Sequence, residues 1–274
     1  MQTIIGLGNG GCNIASLFSN YDQYYDVRLI DTDEREGNFF HLPTCSSMER
    51  YETKCPVRKI SNFLSNVNQE VFLITTGSGA INGALLRILS TIKNKNITVL
   101  YVRPNLEFLS LTKIQQEKLV YNVLQQYARS GKLERVFLFS NSQIINLLGD
   151  FLITSYYDII NKTIVDTFHM INVFIHNKPV FGSIDIPYET CRVGVLSIVD
   201  PSSMEEKSFF PVDKLQQKFY IYLMSEKQLS SDKQLFHRIT EQIKKGNNVS
   251  CAVYETKYEQ PYVYCVGYTS LIQP

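Results

Sequence analysis

Apolar positions fall into short, nearly unbroken runs in the first half of the chain and into a mixed pattern in the second. Residues 3–7, 27–31, 71–75, 97–102 and 135–139 are mostly apolar, which predicts strands buried on both faces. Helical spacing between them predicts helices to about residue 18, near 57–66, and over 80–93, 111–129 and 142–148. Residues 32–56 read as polar and irregular. Such alternation predicts a parallel sheet with helices on both faces. Residues 150–175 read as one long helix without Gly or Pro, apolar on more than one face and so largely buried. Beyond it, strands over 193–199, 219–224, 249–255 and 262–268, a helix over 232–244 and a hairpin-like link at 256–261 predict an α+β domain with a mixed sheet. The fold class is α/β, with expected domains at 1–150 and 179–274 and a central helix over 151–178.

Composition narrows the function classes. The 274 residues are 44% apolar and 19% charged, as a globular core requires, and the formal charge of +1 gives no field for nucleic acid or an anionic membrane. No apolar run is long enough to span a bilayer. The first residues lead straight into a strand without a charged leader, so no signal peptide is expected and the protein is predicted to be cytoplasmic. Cysteines 12, 45, 55, 191, 251 and 265 lack metal-ligand spacing and read as free buried thiols in a reducing compartment, with no metal site.

The candidate chemistry begins at Gly6-Leu7-Gly8-Asn9-Gly10-Gly11-Cys12-Asn13, between the first strand and first helix. Glycines let backbone approach a phosphate, and a helix N-terminus offers N–H groups and partial positive charge. Gly6, Gly8 and Gly11 also match G-x-G-x-x-G, and Asp31 follows at the end of the second strand, where a dinucleotide-binding Rossmann-like domain holds ribose. A second loop, Thr76-Gly77-Ser78-Gly79-Ala80-Ile81-Asn82-Gly83, follows the third predicted strand. Two such loops suit a polyphosphate held from two sides. No histidine falls at a clear strand end to transfer a hydride, and His169, His176 and His237 read as structural or exposed.

In this order the elements resemble the tubulin/FtsZ superfamily over nearly the whole chain, as a short, divergent relative of the FtsZ, TubZ and PhuZ kind that a virus or plasmid carries. Gly8, Asn9, Gly10, Gly11 and Asn13 resemble its first nucleotide loop, and Asp31-Thr32-Asp33 its Asn-Thr-Asp. Gly77, Ser78, Gly79, Asn82 and Gly83 stand at its glycine-rich signature. Arg103-Pro104 resembles its Lys-Pro, with Glu107 near the ribose-contacting acid, and Asn141 is at the position that meets guanine. Tyr157 and Asn161, one turn apart on the long helix, match the pair that stacks on guanine and reads its edge. The resemblance implies GTP or GDP as ligand, with Mg2+ allowed for, and head-to-tail self-assembly. It implies no direct nucleic-acid or membrane contact and leaves any adaptor protein unknown.

Departures also matter. The second loop carries Ala80 and Ile81 where the family has glycines, and residues 32–56 lack its glycine-rich third loop. The family's hydrolysis is completed by acidic residues from the next subunit. Asp185 fits the first such position, and Glu189 lies one residue beyond the second, which falls on Tyr188. GTP hydrolysis, slow or absent, therefore stays open. So do two other readings: an NAD(P)-dependent oxidoreductase using Gly6, Gly8, Gly11 and Asp31, and a pseudo-GTPase that only binds partners.

Overall fold

The structure, a computed structural model, describes residues 1–149, 152–246 and 248–274. It divides into two units, Met1–Val165 and Asp166–Pro274.

The first unit runs β1 (Gln2–Leu7), α1 (Gly8–Leu17), β2 (Tyr25–Asp31), β3 (Phe39–His41), α2 (Met48–Lys54), α3 (Val57–Phe63), β4 (Glu70–Thr76), α4 (Leu85–Thr91), β5 (Asn96–Arg103), α5 (Leu111–Arg129), β6 (Arg135–Ser140) and α6 (Asn141–Leu148). Its strands are all parallel, in the order β3-β2-β1-β4-β5-β6. Ile4 and Ile5, Leu73 and Ile74, Val99 and Leu100, and Val136 and Leu138 are fully buried, which is why these strands read as continuous apolar runs. Helix α7 (Tyr156–Ile175) follows and runs without a break across the boundary between the units.

The second unit contains β7 (Phe181–Ser183), β8 (Val193–Val199), β9 (Glu206–Ser208), β10 (Gln217–Ser225), α8 (Glu226–Ser231), α9 (Leu235–Lys244), β11 (Val249–Thr256) and β12 (Tyr262–Thr269). Its sheet runs β9-β8-β12-β10-β11-β7, with only β10 and β11 parallel. Leu235 and Ile239 of α9 pack with Tyr222, Met224, Val253 and Val263 in its core. A parallel sheet, a long helix and a mixed-sheet α+β unit are thus all present.

Five details differ from the sequence reading. Residues 32–56 hold β3 and α2; a three-residue edge strand is too short to show a period. The 80–93 helix starts as a 3-10 turn, Ala80–Ala84. The 232–244 helix begins only at Leu235, as α9, and a separate helix that the sequence did not show, α8, precedes it, with Ser225 and Gln228 forming its capping box. Strands β11 and β12 do not form a hairpin: β10 lies between them, pairing parallel with one and antiparallel with the other. The long helix begins at Tyr156 after a 3-10 turn, Ile153–Ser155, and its expected start at Asp150 lies outside the described residues.

Candidate functional site

The strand order of the first unit reverses between β1 and β4, where Leu7 pairs with Thr75. Open parallel sheets bind ligands in the crevice beyond such a switch point. Both glycine loops leave the sheet there. Gly8, at φ +70°, lets the chain turn from β1 directly into α1, which has no side-chain cap and no acidic residue in its first turn. Its leading N–H groups and positive end therefore suit an anion.

Several of the glycines have protein neighbours to explain them. A Cβ on Gly11 would run into the Ile74 carbonyl, and one on Gly10 would come within 2.6 Å of the Thr76 methyl, so α1 packs tightly against the end of β4. A Cβ on Gly77 would strike the Tyr101 hydroxyl, and one on Gly83 the Met48 carbonyl. At Gly79 the nearest atom would be 3.5 Å away, an ordinary contact, so packing does not account for that glycine. Ser78 is half-buried beside it. Asn82 is buried and braces the loop: it accepts from Thr75 Oγ1 at 2.6 Å and donates to the Thr76 and Gly79 carbonyls at 2.6 and 3.1 Å.

Beneath the second loop, Glu117 of α5 is buried, accepting from the Tyr101 hydroxyl at 2.6 Å and pairing with Arg103 at 2.9 Å. Burial and this carboxylate push the Tyr101 phenol well above its ordinary range. Cys12, buried against the Gly6 and Ile30 carbonyls, is pushed up to about 12 by burial and then by Asp31, and stays a neutral thiol.

Beside the first loop opens a cleft of about 1030 Å³. Asn13, Arg35, Tyr157 and Asn161 all line it. Tyr157 is 63% exposed, its ring held edge-on to Tyr156 at 4.9 Å, so it is a presented aromatic face and not a core residue. Asn161 is half-buried. Asn141, the first residue of α6, is buried, and its Oδ1 has no hydrogen-bond partner among the described residues. Such an orphaned acceptor fits a ligand N–H donor. Glu107 is exposed in the 3-10 turn Leu106–Phe108, which Asn105 caps. Asp185 and Glu189 are exposed in the second unit, on the loop after β7. The loop is held there by Asp185 N to Ser250 Oγ (3.2 Å) and Tyr188 N to Gln217 Oε1 (2.6 Å).

The residue that sequence reasoning missed is Arg35. It donates to Asp31 Oδ2 from Nε (3.0 Å) and Nη2 (2.6 Å), to Asn13 Oδ1 from Nη1 (2.7 Å), and to Asn9 Oδ1 from Nη2 (2.6 Å). The one available signal was a single arginine in the acidic run Asp31-Thr32-Asp33-Glu34-Arg35-Glu36.

Solved structures carry the same architecture. The TubZ-Bt four-stranded filament aligns with a TM-score of 0.77 at 13% identity, over 100% of this chain and 86% of that one. This chain has the fold of TubZ, CetZ and FtsZ. The GTPγS-bound protofilament of CetZ2 from Haloferax volcanii aligns at 0.74 and 11% identity, over 98% and 94% of the two chains. The empty FtsZ dimer from M. jannaschii aligns at 0.71 and 10%, over 97% and 87%. No family model and no curated protein matches the sequence.

Proposed function

We propose that this chain binds a guanine nucleotide at the switch point of its first unit and assembles head to tail into filaments. One observation carries the reading: Tyr157 and Asn161 share a cleft with Asn13 of α1, the helix that the first glycine loop opens. Phosphates lie along Gly8, Asn9, Gly10 and Gly11, with Ser78 and Gly79 opposite. The base stacks on Tyr157, worth on the order of 1–3 kcal/mol. Asn161 and Asn141 supply amide donors and acceptors to its edge, and Glu107 is the ribose contact.

The filament reading draws on the CetZ2 protofilament and TubZ-Bt filament, whose fold this chain has. Exposed apolar side chains supply material for it: Phe108, Leu111, Leu152 and Ile153 in the first unit, and Val180, Phe181, Ile186 and Phe236 in the second. Asp185 and Glu189 would meet the nucleotide of the next subunit, where a carboxylate orients water for attack on the γ-phosphorus. A heterologous contact of this kind leaves the chain of subunits open at both ends.

The residues present do not fit a protein-held divalent cation. Among the described residues no group of three His, Cys, Asp or Glu side chains could hold one. Asp31 is already committed, Oδ1 to the Thr32 N–H at 2.8 Å and Oδ2 to Arg35. That same commitment disfavours the dinucleotide reading, which needs Asp31 for ribose hydroxyls.

Light scattering and pelleting with GTP or GTPγS test assembly. Nucleotide-dependent polymer is the expected result; a protein that binds the nucleotide and stays monomeric overturns the filament part.

A further inference from the structure

The cleft wall beside the first glycine loop is acidic. Glu34, Glu36 and Asp158 line it together with Arg35 and Lys162. An anionic ligand needs a cation where that wall meets the loop. Arg35 stands at that point: it bonds Asn9 and Asn13, one turn apart on α1, and it lines the cleft with Tyr157 and Asn161. Its buried partner Asp31 holds the guanidinium in place, and the α1 terminus, with no acidic residue in its first turn, adds its partial positive charge. A guanidinium has five N–H groups. The four bonds use one on Nε, one on Nη1 and two on Nη2, leaving one on Nη1 for another acceptor.

We propose that Arg35 is the phosphate-binding cation of this site, serving the diphosphate common to GDP and GTP in the place of a divalent metal. The proposal rests on the guanine-nucleotide reading above and adds two features to it. Affinity does not depend on Mg2+, and Arg35 serves GDP and GTP alike, since it bonds Asn9 and Asn13 and shares the cleft with the base-stacking Tyr157. Planarity matters as well, since Arg35 bonds three partners at once, which a lysine ammonium cannot do with the same geometry.

The test is calorimetric titration of the full chain with GDP, GTP and guanosine, each in EDTA and in Mg2+. Arg35→Ala alone would strand the buried Asp31 carboxylate, so the informative variants are Arg35→Lys and the double variant Asp31→Asn with Arg35→Gln. Wild-type protein should bind GDP alike in EDTA and in Mg2+. The double variant should lose roughly 30-fold for both GDP and GTP in EDTA, the loss expected for one charge-assisted contact. It should regain part of that in Mg2+ and leave guanosine affinity unchanged; Arg35→Lys should fall between. Equal GDP affinity in wild type and double variant overturns the proposal, as does a parallel loss of guanosine binding, which would mark a merely structural role. If wild-type protein binds neither GDP nor GTP, the nucleotide reading falls first and takes this one with it.

Discussion

The Thr75 hydroxyl donates to Asn82 Oδ1 across 2.6 Å, between two buried residues, and Asn82 Nδ2 in turn holds the Thr76 and Gly79 carbonyls. The second glycine loop is therefore braced from within, by a residue that the sequence placed at the phosphates. Asn82→Ala removes three hydrogen bonds and strands the Thr75 hydroxyl. Urea unfolding should show a loss of about 1–3 kcal/mol. An unchanged midpoint would mean the brace contributes nothing.

Gly77 and Gly79 lie in the same loop but should respond oppositely to an added methyl. Gly77→Ala pushes into the Tyr101 hydroxyl and the Glu117 side chain, and should cost about 1–3 kcal/mol of stability. Gly79, at φ −82° with only ordinary contacts around it, should accept alanine within about 0.5 kcal/mol. Its expected penalty is in nucleotide affinity. Thermal unfolding with and without GDP separates the two effects.

How far the sequence could reach is clear from particular elements. Strands β1, β4, β5 and β6 were legible because both faces are buried, which writes an apolar run into the chain. The long helix and the two glycine loops were legible for equally local reasons. Strand β3 was not, with two partly exposed residues and one exposed. The neighbours of β10 depend on which distant strands pair, and two strands linked by a short polar segment look like a hairpin whatever lies between them. At the site, Tyr157 and Asn161 were visible as an i,i+4 pair. Arg35 was not, because Asn13 and Asn9 lie 22 and 26 residues away.

Assembly should separate from nucleotide binding. Ile186 is 87% exposed on the loop between Asp185 and Glu189, and Phe236 is 67% exposed with its ring against Phe181. Ile186→Asp and Phe236→Ser should leave nucleotide affinity within about twofold, as expected of exposed positions outside the cleft, while abolishing pelleting with GTP. Pelleting that persists in both variants would show that this surface takes no part in assembly.

Acid should weaken the second unit through His169. Burial holds its imidazole below the ordinary value of 6.5, with Asp166 opposing. The folded state thus favours the neutral ring. As pH falls below 6.5 the unfolded chain takes a proton that the native state resists, so this stability is full above that pH and is lost through the folded pKa. Urea midpoints measured from neutral to mildly acidic pH should fall, and fall less in His169→Gln. Parallel slopes would assign the acid loss to other groups.

A thermal-shift comparison of GDP, ATP and NAD, run on the wild-type protein and on Asn161→Ala, most directly tests the central claim that this cleft reads guanine. A ligand specific for the native state raises the melting temperature by mass action. GDP alone should stabilise the wild type, and Asn161→Ala should lose most of that shift without melting lower by itself. Stabilisation by NAD and not by GDP, or a GDP shift that survives Asn161→Ala intact, would contradict it.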